Sequence, residues 1–242
     1  MPDLMQYPDR AVLATDLAEL VADQLVEAIE TRGKASLAVP GGTTPGPFLK
    51  ALSTQDIAWE KVSVMLTDER FVPEDSARSN TRLLKETLLQ GKAEAAMLVP
   101  MVASLARPSP RLRGEVRRGA LQPEDVIPAF IEGVNPTLPL DVVVLGMGED
   151  MHTASLFPEA DKLAEALGDD APTLLPMRAE GAGEPRITLT APVLRGARYV
   201  HLLISGPAKL EALQKALLEG PEAEAPVRVI LARDDTEIHY AE

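Results

Sequence analysis

The chain of 242 residues contains no cysteine. Disulfides, thiol nucleophiles and thiolate metal sites are therefore excluded, and the composition suits a cytoplasmic protein. Histidine is scarce too, at three residues, which leaves little material for a His-rich metal centre. A carboxylate site for Mg²⁺ stays open on composition but has no positive sign. Cationic residues are outnumbered: 24 Lys and Arg stand against 37 Asp and Glu, for a formal charge of −13. A nucleic-acid partner is not expected, because its phosphates demand a basic face. An anionic ligand would need a few cations gathered locally against the global field. No apolar run approaches the roughly 18 residues of a membrane span. The N-terminal Asp3, Asp9 and Arg10 do not make a basic-then-apolar leader. Neither a membrane anchor nor a signal segment is expected.

What is present is the pattern of an α/β protein. The apolar fraction of 45% is ordinary for a globular chain, and the length can bury a substantial core. Ala11–Ile29 has apolar residues at helical spacing. Short apolar runs at Ser36–Val39, Val62–Thr67, Asp141–Leu145, Ile187–Thr190 and Tyr199–Ile204 read as strands, and Val227–Leu231 and Glu237–Tyr240 as terminal strands. Between them, helices are predicted over Gly46–Leu52, Asn80–Leu89, Pro123–Gly133 and Ala208–Leu218. The expectation is one α/β domain over residues 1–242, Rossmann-like, with a largely parallel sheet flanked by helices. Arg107–Arg118 stands apart, with five arginines in twelve residues of an acidic chain. It reads as a solvated, mobile loop within an insertion at about 103–120; a basic patch for an acidic partner is the alternative.

The most informative segment is Asp141–Pro158, DVVVLGMGEDMHTASLFP. A buried strand runs into Gly146 and Gly148, then Glu149, Asp150 and His152, with a possible helix start at Thr153–Ser155. An imidazole beside a carboxylate at the carboxyl end of a strand is where open α/β sheets bind ligands, and histidine is suited to moving protons near neutral pH. His201 lies inside an apolar run and reads as a core histidine, whereas His239, near the C-terminus, reads as exposed. Pro40–Pro45 is a glycine-rich turn between a strand and a helix. Gly41 and Gly42 would let backbone N–H groups approach a phosphate, and Thr43 and Thr44 add hydroxyls. A plain tight turn fits it equally well, and no Walker lysine follows. Asp68-Glu69-Arg70 directly follows a strand, as a solvated turn or as part of a site. Ser79-Asn80 fits a helix cap. Lys209 opens a helix against its dipole, which a bound anion would explain, and Arg186 begins a strand-like run.

Taken in order, PGGTTP, LTDERFVPEDSARSN, LGMGEDMHTASLFP, PRITLT and ISGPAKLEAL resemble the non-propeller 6-phosphogluconolactonases and their relatives, the glucosamine-6-phosphate deaminases. These motifs span residues 39–213. The resemblance implies hydrolysis of a sugar-phosphate lactone, 6-phospho-D-glucono-1,5-lactone, in the oxidative pentose phosphate pathway, without metal or organic cofactor. The expected partner is that small molecule, and a monomer is expected, with an oligomer left open. His152 would be the general base, with Asp150 orienting it. Asp68 and Arg70 would complete the catalytic group, Arg70 positioning the lactone or steadying an oxyanion. Gly41, Gly42, Thr43, Thr44, Asn80, Arg186 and Lys209 would bind substrate, chiefly its phosphate.

The deaminase branch has Asp-Glu-Tyr where this chain has Asp68-Glu69-Arg70, and a glutamate where it has Phe157. A deaminase-like enzyme and a non-enzymatic sugar-phosphate sensor are the competing readings. One position departs from the lactonase pattern: Met151 replaces a glycine. A left-handed backbone there would cost methionine about 1–2 kcal/mol.

Overall fold

The computed structural model describes residues 2–101 and 121–242, so the Arg107–Arg118 segment lies outside the described residues. The chain opens with strand β1 (Asp3–Gln6) and helix α1 (Arg10–Arg32). The Asp9 carboxylate accepts from the backbone N–H groups of Ala11 and Val12, satisfying donors that a helix start leaves free. Gly33, at φ 76°, ends the helix in the left-handed conformation that glycine adopts without strain. Leu13, Leu17, Val21 and Leu25 recur at helical spacing and are buried.

Seven parallel strands form the main sheet. They are β1, β2 (Ala35–Val39), β3 (Val62–Leu66), β5 (Met97–Leu98), β6 (Val142–Leu145), β9 (Tyr199–Ser205) and β10 (Glu237–Ala241). Their order is β1-β10-β9-β6-β2-β3-β5. Strands β2 and β6 are buried along their whole length, as expected where helices cover both faces of a parallel sheet. From β2 the chain winds outward through β3 and β5, then returns to the other side of β2 with β6 and winds toward β9. The β2/β6 boundary is therefore the topological switch point, outside whose carboxyl edge such sheets bind ligands. Among the described residues the remaining helices are α2 (Gly46–Ser53), α3 (Asn80–Thr87), α4 (Pro123–Val134), α5 (Leu163–Leu167), α6 (Ala191–Arg195), α7 (Pro207–Ala216) and α8 (Arg228–Leu231).

A second sheet was not foreseen. It is antiparallel and three-stranded, in the order β4 (Asp68–Arg70), β8 (Arg186–Leu189), β7 (Leu174–Met177). Strand β7 carries Pro176, which argues against a strand in sequence but is tolerated at a sheet edge, where β7 lies. Strand β1 was also missed, because three of its four residues are exposed and leave no periodic apolar signal.

Three local expectations are corrected. Val227–Leu231 is not a strand: Arg228–Leu231 is a helical turn entered from Pro226, and so short an apolar run cannot separate the two. No helix starts at Thr153–Ser155. There Ala154 has φ 49°, and the Leu156 amide closes onto the Thr153 carbonyl in a tight turn. His239 is fully buried, not exposed, because β1 pairs outside β10 and makes it an internal strand. It contacts His201, which is buried as expected. Burial pushes the His201 imidazole down to about 3 and that of His239 down to about 4, so both are neutral at pH 7.

Candidate active site

The loops after β2 and β6 meet over the switch point and border a cleft of about 280 Å³. Pro40, Gly41 and Gly42 form one wall and Gly146, Met147 and Gly148 another. The small sheet contributes Asp68, Arg70 and Arg186, α3 contributes Asn80 and α7 contributes Lys209. His152, Ala154 and Phe157 complete the lining.

The β6 loop sets His152. The Gly148 amide donates to the His152 carbonyl and the Met151 amide donates to the Gly148 carbonyl, at 3.0 and 3.1 Å. A Cβ on Gly148 would stand 2.3 Å from His152 Nδ1 and from Asp150 Oδ1, so only glycine lets the pair fold over the backbone. His152 Nδ1 lies 2.5 Å from Asp150 Oδ1, and the ring leans on Phe157 with centroids 4.4 Å apart. Burial alone would raise the Asp150 carboxyl. Its hydrogen bonds from His152 and the histidine's charge together hold it below its ordinary value. A carboxylate at Nδ1 fixes the tautomer with hydrogen on that atom, leaving the Nε2 lone pair as proton acceptor. Nε2 has no protein partner among the described residues.

Met151 has φ 64°, so the turn keeps the left-handed backbone in which glycine is at ease. Met151→Gly is expected to relieve about 1–2 kcal/mol of strain. Glycine's greater unfolded-state entropy, about 0.5–1 kcal/mol, offsets part of this. Thermal unfolding and turnover of the variant check it: the melting temperature should hold or rise and kcat should stay within about twofold. A clear drop in both would show that the half-buried methionine has its own packing role.

The Asp68-Glu69-Arg70 triplet is a strand, and strand alternation divides its duties. Glu69 points inward and is 1% exposed. Its carboxylate accepts from the amides of Arg70, Asn80 and Thr81 at 2.7, 2.8 and 2.6 Å and from Ser79 Oγ at 3.2 Å. It thus ties β4 to the start of α3, an anchoring role that sequence reasoning missed. Asp68 and Arg70 share the other face. Asp68 accepts from Ser155 Oγ at 2.6 Å and faces Arg186 Nη1 at 3.8 Å. Arg70 stands directly opposite Arg186 in the antiparallel register. Like charges at such a pair repel, which an anionic or strongly polar ligand would relieve.

Asn80 reaches over Gly41 to donate from Nδ2 to the Asp68 carbonyl at 3.1 Å. A Cβ on Gly41 would fall 2.1 Å from the Asn80 amide carbon. Among the described residues, three buried side-chain polar atoms lack a partner: Arg70 Nε, Arg186 Nε and Asn80 Oδ1. All three residues line this cleft. Buried polar groups are ordinarily satisfied, so their convergence marks a site made for something polar. Burial pulls the Arg186 guanidinium below its ordinary value, and Asp68 opposes that shift. Burial likewise lowers the Lys209 ammonium, opposed by Glu149.

The structure therefore brings His152, Asp68, Arg70, Asn80, Arg186, Lys209, Gly41 and Gly42 to one cleft, with Asp150 behind His152. It does not bring Thr43 and Thr44 there. They line a neighbouring cavity with Arg10, Phe48, Leu203 and Ser205.

An imidazole–carboxylate pair beside a cluster of cations, at the switch point of a parallel sheet, defines an α/β enzyme-type site for a small anionic ligand. The chain belongs to the family described as glucosamine-6-phosphate isomerases/6-phosphogluconolactonase, whose profile matches residues 8–239. It is 43% identical to a 6-phosphogluconolactonase of Rhizobium meliloti strain 1021 over 94% of this chain and 92% of that one. Another, from Mesorhizobium japonicum, is 45% identical over 93% of this chain and 88% of its own. Among solved structures, a 6-phosphogluconolactonase from Shewanella baltica OS155 superposes with a TM-score of 0.86 at 31% identity, covering 100% of this chain and 98% of that one. A monomeric glucosamine-6-phosphate deaminase shares the fold, with a TM-score of 0.73 at 17% identity.

Proposed function

We infer that the chain hydrolyses 6-phospho-D-glucono-1,5-lactone to 6-phosphogluconate. The observation that carries this reading is the cleft itself, with a carboxylate-held imidazole at one side and Arg70, Arg186 and Lys209 around it, the buried Nε atoms of the two arginines having no partner. The lactonase relatives, at up to 45% identity over most of the chain, supply the substrate.

A δ-lactone is an activated ester, so a covalent intermediate is unnecessary. Positioning one water and removing its proton is sufficient. His152 Nε2 takes that proton as the water oxygen attacks the lactone carbonyl, and Asp150 steadies the imidazolium that forms. Negative charge gathers on the carbonyl oxygen, where Arg70 and Arg186 stabilise it. As the tetrahedral intermediate collapses, the C–O bond to the ring oxygen breaks and the imidazolium returns its proton to that oxygen. Asp68 holds Arg186 in place, and Asn80 orients a sugar hydroxyl. Lys209, with the amides of Gly41 and Gly42, holds the 6-phosphate.

No metal or organic cofactor is assigned to these steps. No helix among the described residues is long and apolar enough to cross a membrane. We take the enzyme to be cytoplasmic, a single domain acting as a monomer on its small substrate. The absence of cysteine and the charge of −13 support the compartment and the lack of a nucleic-acid partner.

The competing activity is deamination of glucosamine 6-phosphate. Phe157, against the His152 ring, occupies the place where the deaminase resemblance calls for a carboxylate. Incubation with glucosamine 6-phosphate should release no ammonia. Ammonia release at a rate comparable to lactone hydrolysis would overturn the assignment.

A further inference from the structure

Two of the three histidines take no part in the cleft. His201 is the third residue of β9 and His239 the third of β10, and Glu237 begins β10 directly opposite His201 in the parallel register. The cleft-lining Lys209 follows the other end of β9. This group therefore lies toward the amino end of the sheet, away from the reaction.

We propose that His201, His239 and Glu237 form a binding site for one divalent transition-metal ion of the Zn²⁺ type. Their ligand atoms lie within 4.8 Å of one another. His201 Nδ1 is 3.1 Å from His239 Nε2, and Glu237 Oε2 is 3.8 and 3.9 Å from these two nitrogens. A point about 2.1 Å from all three atoms exists inside that triangle, and this is the bond length of Zn²⁺ to imidazole or carboxylate. Two imidazoles and one carboxylate suit Zn²⁺ better than Mg²⁺ or Ca²⁺, which prefer all-oxygen shells.

The outer nitrogens carry the second, independent argument. A metal-bound histidine generally gives its other N–H to an acceptor, which fixes tautomer and ring orientation. His201 Nε2 lies 2.8 Å from Gln24 Oε1, and His239 Nδ1 lies 2.9 Å from the Tyr7 hydroxyl. Gln24 Oε1 can only accept, so His201 Nε2 carries hydrogen and its Nδ1 presents a lone pair inward; the Tyr7 hydroxyl can accept from His239 Nδ1 once a metal takes the lone pair of Nε2. With both rings neutral and no metal, one inner nitrogen donates to the other at 3.1 Å, and the Tyr7 hydroxyl donates to His239 Nδ1. The histidine rings are fully buried, whereas Glu237 is about one-third exposed and gives the ion its way in from solvent. A water on that side would complete the coordination. The ion would cross-link β9 to β10, while Tyr7, just past β1, and Gln24 of α1 hold the ligands from outside.

The test uses the full chain after exhaustive chelation, titrated with Zn²⁺ by calorimetry and with Co²⁺ by visible absorption. Zn²⁺ should bind at one equivalent and raise the melting temperature with increasing concentration. Co²⁺ should give the intense visible bands of a four-coordinate centre. Glu237→Gln keeps the shape of a partly exposed side chain and should weaken Zn²⁺ binding by about 100-fold or more. Tyr7→Phe should weaken it by about 10-fold or more through the outer hydrogen bond. In His152→Ala the stoichiometry and affinity should be unchanged. Absence of stoichiometric binding overturns the proposal. So does affinity that ignores Glu237→Gln, or binding abolished by His152→Ala, which would place the ion at the catalytic imidazole.

Discussion

Replacing His152 with alanine should lower kcat by about 10²–10⁴, the usual worth of a positioned acid/base. The size follows from the double use of one imidazole, which accepts the proton of water and then returns it to the ring oxygen. Its Nδ1 is committed to Asp150 at 2.5 Å, so Nε2 is the atom that faces the chemistry. Binding of 6-phosphogluconate should change little, because the phosphate and hydroxyl contacts come from other elements. Steady-state kinetics with product-inhibition constants separates the two effects. A variant that keeps most of its kcat would make His152 structural and would require another base. Among the cleft residues only Asp68 is a candidate, and it already accepts from Ser155 and faces Arg186.

The second large effect belongs to binding. Lys209 sits in the first turn of α7, where its charge opposes the helix dipole, and it is half-buried in an acidic chain. Burial lowers its ammonium from the ordinary value, so the folded protein holds it at a cost that a bound phosphate would repay. A charge-assisted hydrogen bond is worth about 1.5–3 kcal/mol. Lys209→Ala should therefore weaken substrate binding about ten- to over a hundred-fold, with the loss mainly in KM. Unphosphorylated gluconolactone lacks the partner and should be far less sensitive to the change. Comparing the two substrates on the two proteins closes the cycle. Equal losses for both would refute contact with phosphate.

Much of this site was legible in the sequence, for identifiable reasons. A buried strand followed by glycines, a carboxylate and a histidine is a local arrangement, and the structure keeps it local. Asp150, His152 and Gly148 lie within five residues and touch one another. The left-handed backbone at Met151 was foreseeable from the glycine it replaces. Long-range placements were not foreseeable in the same way. Nothing near residue 70 says that it will pair in antiparallel register with residue 186, because β4 has three residues and no alternation to read. In sequence Glu69 reads only as one of three charges in a solvated turn or a site; its burial emerges only when β4 meets α3. Thr43 and Thr44 follow two glycines that do line the cleft, but the turn directs them toward Arg10 and Ser205. His239 looked terminal and exposed because β1, the strand that covers it, gives no apolar signal. Local chemistry was readable where the chain carries it within one turn. Burial and partnership across strands required the fold.

The central claim is that this cleft accelerates opening of a phosphorylated δ-lactone by water. Its most direct measurement is hydrolysis of freshly generated 6-phospho-D-glucono-1,5-lactone, followed by continuous oxidation of the 6-phosphogluconate released. The spontaneous rate is taken from the same solution without enzyme. The account predicts a saturable rate far above the spontaneous one, proportional to enzyme concentration and largely abolished by His152→Ala. A rate no greater than spontaneous hydrolysis, from a folded chain at substrate concentrations into the millimolar range, would contradict it.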